Sequence, residues 1–540
     1  MNTVIENMGY WSIIPPLLTV AIALIWKDVV IALVAGIFSG TLIVNKGNVA
    51  SAAVQMIDRI ASSLSDSWNI RIFLFCALLG SLVAILSRTG SAYAFGKWAA
   101  QRIKTRRGTL IFTFFFGILI FIDDYFNSLS VGTAMRPVCD RMKISRAKLA
   151  YILDSTAAPV CIIAPVSSWV VTVMSYVRKG DGFSKLGMSE FDFFLRLIPY
   201  NLYVILTLLF IIVCMLILQR DFGPMLRSEQ RAVSGKGLFD EERYGKNVCD
   251  DSMKTDTKAK PADMIFPLLV LVTSAVLSFP LTTYYTELKA GKFKTLSAAY
   301  ESMSLMDAFR NTDVSCALFY SIVVTLAVVI LWCICRGLLK TGEISDAIID
   351  GVRSMIPALV ILVLAWTIGG VIRNAPSEGG VGLASFLSQI VKNGSFPFAL
   401  LPLLVFCCSC LIAFSTGPSW GCMAIMIPVT MPLAMAAGEA AAGTQLDAVL
   451  FVMSAAIGGA IYGDHASPIS DTTILSATGA GCPCLEHVAT QMPYASFVAI
   501  CSGLGYLAGG WSLNLGVAAA VSLVIFAAGV IFLPRLFSAK

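Results

Sequence analysis

Apolar runs long enough to cross a bilayer recur along this chain, with short polar loops between them. A helix needs roughly 20 apolar residues to span the hydrocarbon core. The runs lie near residues 11–26, 29–45, 70–89, 193–218, 264–280, 314–335, 355–374, 419–437, 494–510 and 513–534. Of the 540 residues, 57% are apolar and only 13% are charged, against about 25% charged in a soluble domain. Too few charges remain to cover a water-exposed surface, so lipid is the solvent for most of the chain. The expected fold class is an all-α polytopic membrane protein, multi-pass in the cell (inner) membrane, with the lipid bilayer as its main partner. No basic segment precedes the first run, which therefore reads as a retained span rather than a cleaved signal. The net charge of +6 comes from loop residues and makes no nucleic-acid footprint. Most of the 15 cysteines sit inside apolar runs and read as small packing residues.

Four stretches break the pattern of simple spans. The run 109–122 is short for a crossing and meets Asp123-Asp124; with 128–139 it reads as a re-entrant hairpin at about 109–139. The run 147–177 is too long for one span and contains Pro159 and Pro165, which predict a helix broken in mid-membrane. Both oddities recur later. A second hairpin at about 396–437 turns at Ser415-Thr416-Gly417-Pro418-Ser419, and a second broken helix at about 446–480 is interrupted by GDHASPISD, residues 463–471.

Short matches link the two halves in common order: "MIDRI" (56–60) with "IIDGV" (348–352), "FNSLSVGTAMRPV" (126–138) with "GPSWGCMAIMIPV" (417–429), and "APVSSW" (164–169) with "SPISDT" (467–472). This predicts two inverted-topology repeats, 1–218 and 261–540. Between them, residues 219–260 hold nine Lys/Arg and eight Asp/Glu and read as a solvated cytoplasmic linker. Basic residues favour the cytoplasmic side. Lys97, Arg102, Lys104, Arg106 and Arg107 precede the first hairpin, and Arg136, Arg141, Lys143, Arg146 and Lys148 follow it. Both clusters face the cytoplasm only if that hairpin enters and leaves on one side; the N-terminus then falls outside.

Polar side chains held in hydrocarbon are costly and usually functional, and unwound backbone is tolerated there only where it lines a cavity or is buried in protein. Both features coincide at the two tips and the two breaks. Half-helix ends expose carbonyl and N–H groups that can coordinate ions. At the first tip, adjacent Asp123 and Asp124 resist being ionised side by side without a cation. Asp124 and Asn127 share a helical face and Ser128 follows, while Asp123 is a candidate cap for the second arm. The second tip offers neutral oxygens at Thr416 and Ser419. The first break brings Asp154, Ser155, Thr156, Ser167 and Ser168. The second, the richest segment, brings Asp464, His465, Ser467, Ser470, Asp471, Thr472 and Thr473. His465 suits proton relay. His487 is placed in the following loop without a role, and Asp28 and Asp313 read as helix caps. Cation or proton binding is therefore expected at Asp123, Asp124, Asn127, Ser128, Asp154, Asp464 and Asp471, with the remaining polar groups lining the path.

The segments "FIDDYFNSLSVGTAMRPVCDRMKISRAKLAYILDSTAAPV" (121–160) and "GDHASPISDTTILSATGAG" (463–481) resemble the signature regions of NhaC-type sodium/proton antiporters, members of the ion transporter superfamily. The resemblance implies a scaffold of two inverted repeats, alternating access, commonly a homodimer, and coupling to Na+ or H+. It implies the motif acids Asp123, Asp124, Asp154, Asp464 and Asp471. The expected function is Na+/H+ antiport by competition of Na+ and H+ for intramembrane aspartates, with no enzymatic activity and no cofactor. Na+ and H+ are the transported or coupling ions. The alternative is a Na+- or H+-coupled transporter or exchanger of a small organic acid or amino acid.

Overall fold

The computed structural model describes residues 7–537 except 27, 166, 179–182, 245–257, 293–294, 306–307, 309–311, 384, 387–397, 418, 441–444 and 469. The chain runs through α1 (Ile14–Trp26), α2 (Val29–Val44), α3 (Val49–Ser65), α4 (Ser67–Thr89), α5 (Ser91–Arg102), α6 (Arg106–Leu119), α7 (Asp124–Arg141), α8 (Arg146–Cys161), α9 (Ser168–Arg178), α10 (Glu190–Leu197) and α11 (Leu202–Phe210). After α12 (Gly223–Ser234) come α13 (Ala262–Lys289), α14 (Val314–Arg336), α15 (Thr341–Arg373), α16 (Leu401–Thr416), α17 (Ser419–Ala440), α18 (Gln445–Ala466), α19 (Asp471–Ala480), α20 (Cys484–Ser512) and α21 (Leu515–Phe537).

Local chemistry sets these boundaries. Asp28, Asp66, Asp123 and Asp313 each accept from backbone N–H groups at the first turn of α2, α4, α7 and α14, satisfying donors that a helix start leaves free. Gly90 and Gly337 end α4 and α14 in the left-handed conformation, which lacks a Cβ penalty only for glycine.

Among the described residues, nine helices are long and apolar enough to cross a membrane. The pair Glu190–Tyr200 and Leu202–Ile217, bent by 52°, makes up to a tenth. The protein is a multi-pass membrane protein. Of the most apolar window of α17, 89% is buried, and of α18, 83%, against 22% for α21. The centre of the bundle is thus α17 and α18, while α21 turns Val524 and Phe532 outward.

All four expected interruptions fall between helices: α6 ends at Leu119 and α7 starts at Asp124, α8 ends at Cys161 and α9 starts at Ser168, α16 ends at Thr416 and α17 starts at Ser419, and α18 ends at Ala466 and α19 starts at Asp471. Pro159, expected to help break the helix, lies inside α8 instead. The two breaks of the first half meet, the Ser168 N–H donating to the Ile122 carbonyl at 3.2 Å. Those of the second half meet where Ser467 Oγ donates to the Phe414 carbonyl at 2.9 Å. The halves then join along one seam. A Cβ on Gly479 of α19 would stand 2.5 Å from the Ser128 carbonyl of α7, so these helices touch backbone to backbone. Trp169 of α9 packs on Trp420 of α17 with ring centroids 5.4 Å apart.

Two expectations about loops change. Residues 219–244 are not all loop: α12 is a helix that buries Met225, Ser228, Glu229 and Ala232 while Arg227, Gln230 and residues 233–237 stay exposed, and 245–257 lie outside the described residues. Four charges of the segment, Asp221, Glu229, Arg231 and Asp240, are paired. Lys148, its side chain only 3% exposed, bridges Asp221 at 2.8 Å and Glu229 at 3.3 Å, Arg106 pairs with Glu229, and Arg231 pairs with Asp240 at 2.6 Å and Glu486 at 3.3 Å. Lys148, counted above as a loop charge, is therefore an interior ion-pair partner. Second, α20 begins at Cys484, directly after Pro483, so His487 lies on a helix rather than in a loop.

Candidate functional site

The first tip presents three polar groups with different tasks. Asp123 caps α7, Oδ1 accepting from the Phe126 N–H at 3.0 Å while Oδ2 accepts from Ser168 Oγ at 3.4 Å. Asn127 is a staple: its Nδ2 donates to the carbonyls of Gly117 at 2.7 Å, Ile120 at 2.9 Å and Thr156 at 3.1 Å, tying the end of α6 to α8. Asp124 has no such employment. It is 1% exposed, and neither carboxylate oxygen has a hydrogen-bond donor among the described residues. Trp169 is the nearest donor, its indole N–H turned toward the carboxylate but short of hydrogen-bond geometry with any of the described residues. Asp464 is near enough for the two carboxylates to interact.

Asp464, 1% exposed, lies at the C-terminal end of α18. The backbone there turns out of helix, so the hydroxyls of the break fold back onto it. Ser470 Oγ donates to Oδ1, Thr472 Oγ1 donates to Oδ1 at 2.6 Å, and Ser419 Oγ, from the second tip, donates to Oδ2 at 2.6 Å. Each hydroxyl that gives its hydrogen to the carboxylate keeps oxygen lone pairs for a cation. A carboxylate ringed by neutral oxygens, at the negative end of a helix dipole, attracts a hard cation.

Asp154 is 0% exposed and lies within continuous α8, seven residues before its end. Its donors come from elsewhere in the chain. Gln491 Nε2 of α20 donates to Oδ2 at 2.5 Å, Thr473 Oγ1 lies at 3.4 Å from Oδ2, and Ser476 Oγ at 3.4 Å from Oδ1. His487 Nε2 stands 3.5 Å from Oδ2. Thr473 Oγ1 also lies 3.1 Å from the backbone oxygen of Asp464, and Gln491 Nε2 also donates to the His465 carbonyl at 2.7 Å. The surroundings of Asp154 and Asp464 are thus contiguous.

The other expected residues divide. Ser128 accepts from Ser476 Oγ at 3.0 Å across the seam. His465 meets the Tyr203 hydroxyl through Nδ1 at 3.1 Å, and its Nε2 has no hydrogen-bond partner among the described residues. Ser155 is buried with its hydroxyl likewise unpartnered. Thr156 and Thr416 donate back to their own helices, to Ile152 and Ile412. Ser167 donates to the Cys161 carbonyl at 2.6 Å and accepts from the Val170 N–H. Asp471 is not brought into the buried cluster: it is exposed at the start of α19, where it accepts from the Tyr125 hydroxyl at 3.2 Å.

Sequence reasoning missed Gln491, Ser476, Trp169 and His487. For His487 a signal existed: a proline directly before a polar-apolar pattern favours a helix start. The other three carry no local mark, because only the packing of α9, α19 and α20 directs them at the acids.

An uncharacterized protein of Haemophilus influenzae is 36% identical, the match covering 97% of this chain and 96% of that protein. The malate-2H(+)/Na(+)-lactate antiporter of Bacillus subtilis is 26% identical over 41% of this chain and 46% of its own. The solved structure of MtrF of Neisseria gonorrhoeae, described within a class of antimetabolite efflux pumps, shares the fold with a TM-score of 0.50 at 11% identity, covering 90% of this chain and 85% of that one. The model of the Na+/H+ antiporter family matches residues 160–511, a span that starts just after Asp154 and includes Ser419, Asp464 and His487. With that span covering more than half of its length, the chain belongs to the Na+/H+ antiporter family and is a secondary transporter rather than an enzyme.

Proposed function

We propose that the protein exchanges Na+ for H+ at the acid pair Asp124 and Asp464, with the hydroxyls of Ser419, Ser470 and Thr472 completing the Na+ site. The observation that carries this reading is Asp124: a buried carboxylate for which, among the described residues, no donor reaches either oxygen in hydrogen-bond geometry. In a dry interior a bare carboxylate costs several kcal/mol, so the group holds either a proton or a cation. That choice is the elementary step of an antiporter. Protonation removes the charge that compensates Na+ for its lost hydration, so one site cannot serve both ions at once, and competition alone couples the two fluxes. Each ion then crosses only when the site changes the side it faces. We further infer that the two halves stand in inverted orientation, which would present the same seam to either side.

The donor set supports a hard monovalent cation. It consists of carboxylate and hydroxyl oxygens, and among the described residues no cluster of three or more His, Cys, Asp or Glu is arranged to hold a metal ion. The test is Na+-driven pH recovery in everted vesicles. Asp124→Asn is expected to abolish it with protein still present in the membrane, and an undiminished response would refute the assignment. A second reading, exchange of a small organic acid, is favoured by the name of the Bacillus relative. It replaces the first if purified protein in liposomes moves Na+ and H+ only when a dicarboxylate or hydroxy acid is supplied.

A further inference from the structure

The start of α4, the end of α13 and the start of α14 come together at one end of the bundle, and all three are long and apolar enough to cross a membrane. Arg71 of α4 joins them, its Nη1 donating to Asp313 Oδ2 at 3.1 Å and reaching Ser315 Oγ at 3.5 Å. Beside this contact lies a groove of about 480 Å³. One wall is α13, where Leu281, Tyr285 and Lys289 recur every four residues and so share a face. The other is the start of α14, with Asp313 and, two turns on, Tyr320. Leu281, Tyr285 and Tyr320 are exposed, so the groove opens on the outer surface of the bundle.

The charges in the groove do not balance. Arg71 and Lys289 are its cations and Asp313 its one acid. That acid is already served, Oδ1 accepting from the N–H groups of Ser315 and Cys316 and Oδ2 from Arg71. Lys289 is exposed and enters no ion pair among the described residues. The neighbouring hollow of about 580 Å³ also touches Asp313, but there Glu190 and Asp192 join it against the single cation Arg178. The positive character at this end is therefore confined to one groove. It also has a depth gradient. Lys289 ends α13, the tyrosines lie within two turns of helix ends, where aromatic rings meet lipid headgroups, and Leu281 stands about 12 Å deeper than Lys289 along the helix.

We propose that this groove binds an anionic phospholipid, its phosphate held between Arg71 and Lys289, its glycerol region against Tyr285 and Tyr320, and an acyl chain running down past Leu281. A soluble anion would use the basic end and leave the apolar wall bare, whereas a phospholipid matches both. A guanidinium bonded to a carboxylate through one nitrogen keeps further N–H donors for phosphate oxygens. A zwitterionic lipid is held less strongly, because its own ammonium offsets the phosphate charge. The bound phosphate bridges α4 and α13 through Arg71 and Lys289. The assignment does not depend on which ions or solutes the protein exchanges.

The experiment titrates the purified full-length protein, in neutral detergent, with dioleoyl phosphatidylglycerol and separately with dioleoyl phosphatidylcholine. Bound lipid and oligomeric state are read by native mass spectrometry. Wild type is expected to hold phosphatidylglycerol more tightly than phosphatidylcholine. Lys289→Gln removes an exposed charge and is expected to weaken phosphatidylglycerol binding about fivefold, the scale for one basic residue at an anionic lipid surface, with phosphatidylcholine unaffected. Arg71→Gln combined with Lys289→Gln is expected to bring the two lipids to parity. Lys340→Gln, at the opposite end of α14, is expected to keep the wild-type preference. Equal affinity of wild type for both lipids overturns the proposal, as does the same loss in Lys340→Gln. If the Arg71 variant does not fold, Lys289→Gln decides alone, and an unchanged affinity overturns the proposal. Displacement of the lipid by millimolar sn-glycerol 3-phosphate would give the basic pair to a soluble phosphate ester. A changed oligomeric state with unchanged lipid binding would give the groove to a second copy of the chain. Either result overturns the lipid assignment.

Discussion

Asp464 lies in α18 and Asp154 in α8, both are buried, and hydroxyls that follow α18 reach both, yet their polar surroundings differ. Asp464 sits two residues before the end of α18, so the unwound chain that follows can curl back and deliver Ser470 and Thr472 to it. Asp154 sits inside intact α8, where the backbone has no hydroxyl to spare. Its strongest donor, Gln491, is 337 positions away in sequence. An acid at a helix break is thus served mainly by its own segment, through hydroxyl oxygens. An acid in mid-helix depends on what other helices bring, here an amide and an imidazole. The two families of donors meet at Thr473.

This contrast can be broken by exchanging each carboxylate for its amide. Asp464→Asn is expected to weaken Na+ binding to the purified protein by roughly a hundredfold or more, the scale of a buried charge partner worth about 3 kcal/mol. Asp154→Asn is expected to weaken it by only about tenfold, one lost long-range charge interaction. Comparable losses from both, measured by calorimetric Na+ titration, would mean that the two acids form one site. A smaller effect sharpens the picture on the Asp154 side. Gln491→Leu removes the 2.5 Å donor and is expected to cost about 1.5–3 kcal/mol of stability, the range for a hydrogen bond to a charged group. That cost is read as a lower thermal midpoint in detergent, with Na+ affinity changed far less than in Asp464→Asn. The smallest effect belongs to Asp471, which shares the richest segment with Asp464 but is exposed. Asp471→Asn is expected to leave Na+-driven pH recovery within about twofold, as for surface substitutions away from buried partners. A loss comparable to that of Asp464→Asn would return Asp471 to the site.

Much of the scaffold was legible because its signals are local. The short run ending at Asp123-Asp124, Pro165 and the GDHASPISD interruption each fall where one helix ends before the next begins, whereas Pro159 is carried inside α8, which continues to Cys161. The caps at Asp28 and Asp313 follow from one side chain and the two or three N–H groups after it. Composition misled where charges are paired at a distance. The polar segment around Glu229 looked like a solvated loop because its partners, Arg106 and Lys148, come from α6 and α8. Likewise, the region around Glu343 and Asp350 lies outside the apolar run at 355–374, yet α15 begins at Thr341, and Asp350 pairs with Arg88 of α4 and with Arg353 at 3.6 Å.

By itself the sequence determined that the chain lives in lipid, where its helices stop, and which acids lie at or near those stops, because hydrophobic length, proline and capping act over a few residues. Only the tertiary structure decided that no donor among the described residues reaches Asp124, that hydroxyls of Ser419, Ser470 and Thr472 ring Asp464, and that His487 faces Asp154. Those outcomes depend on how helices far apart in sequence are brought into contact, and in a low-dielectric interior it is the partner across that contact that decides how a buried carboxylate is stabilised.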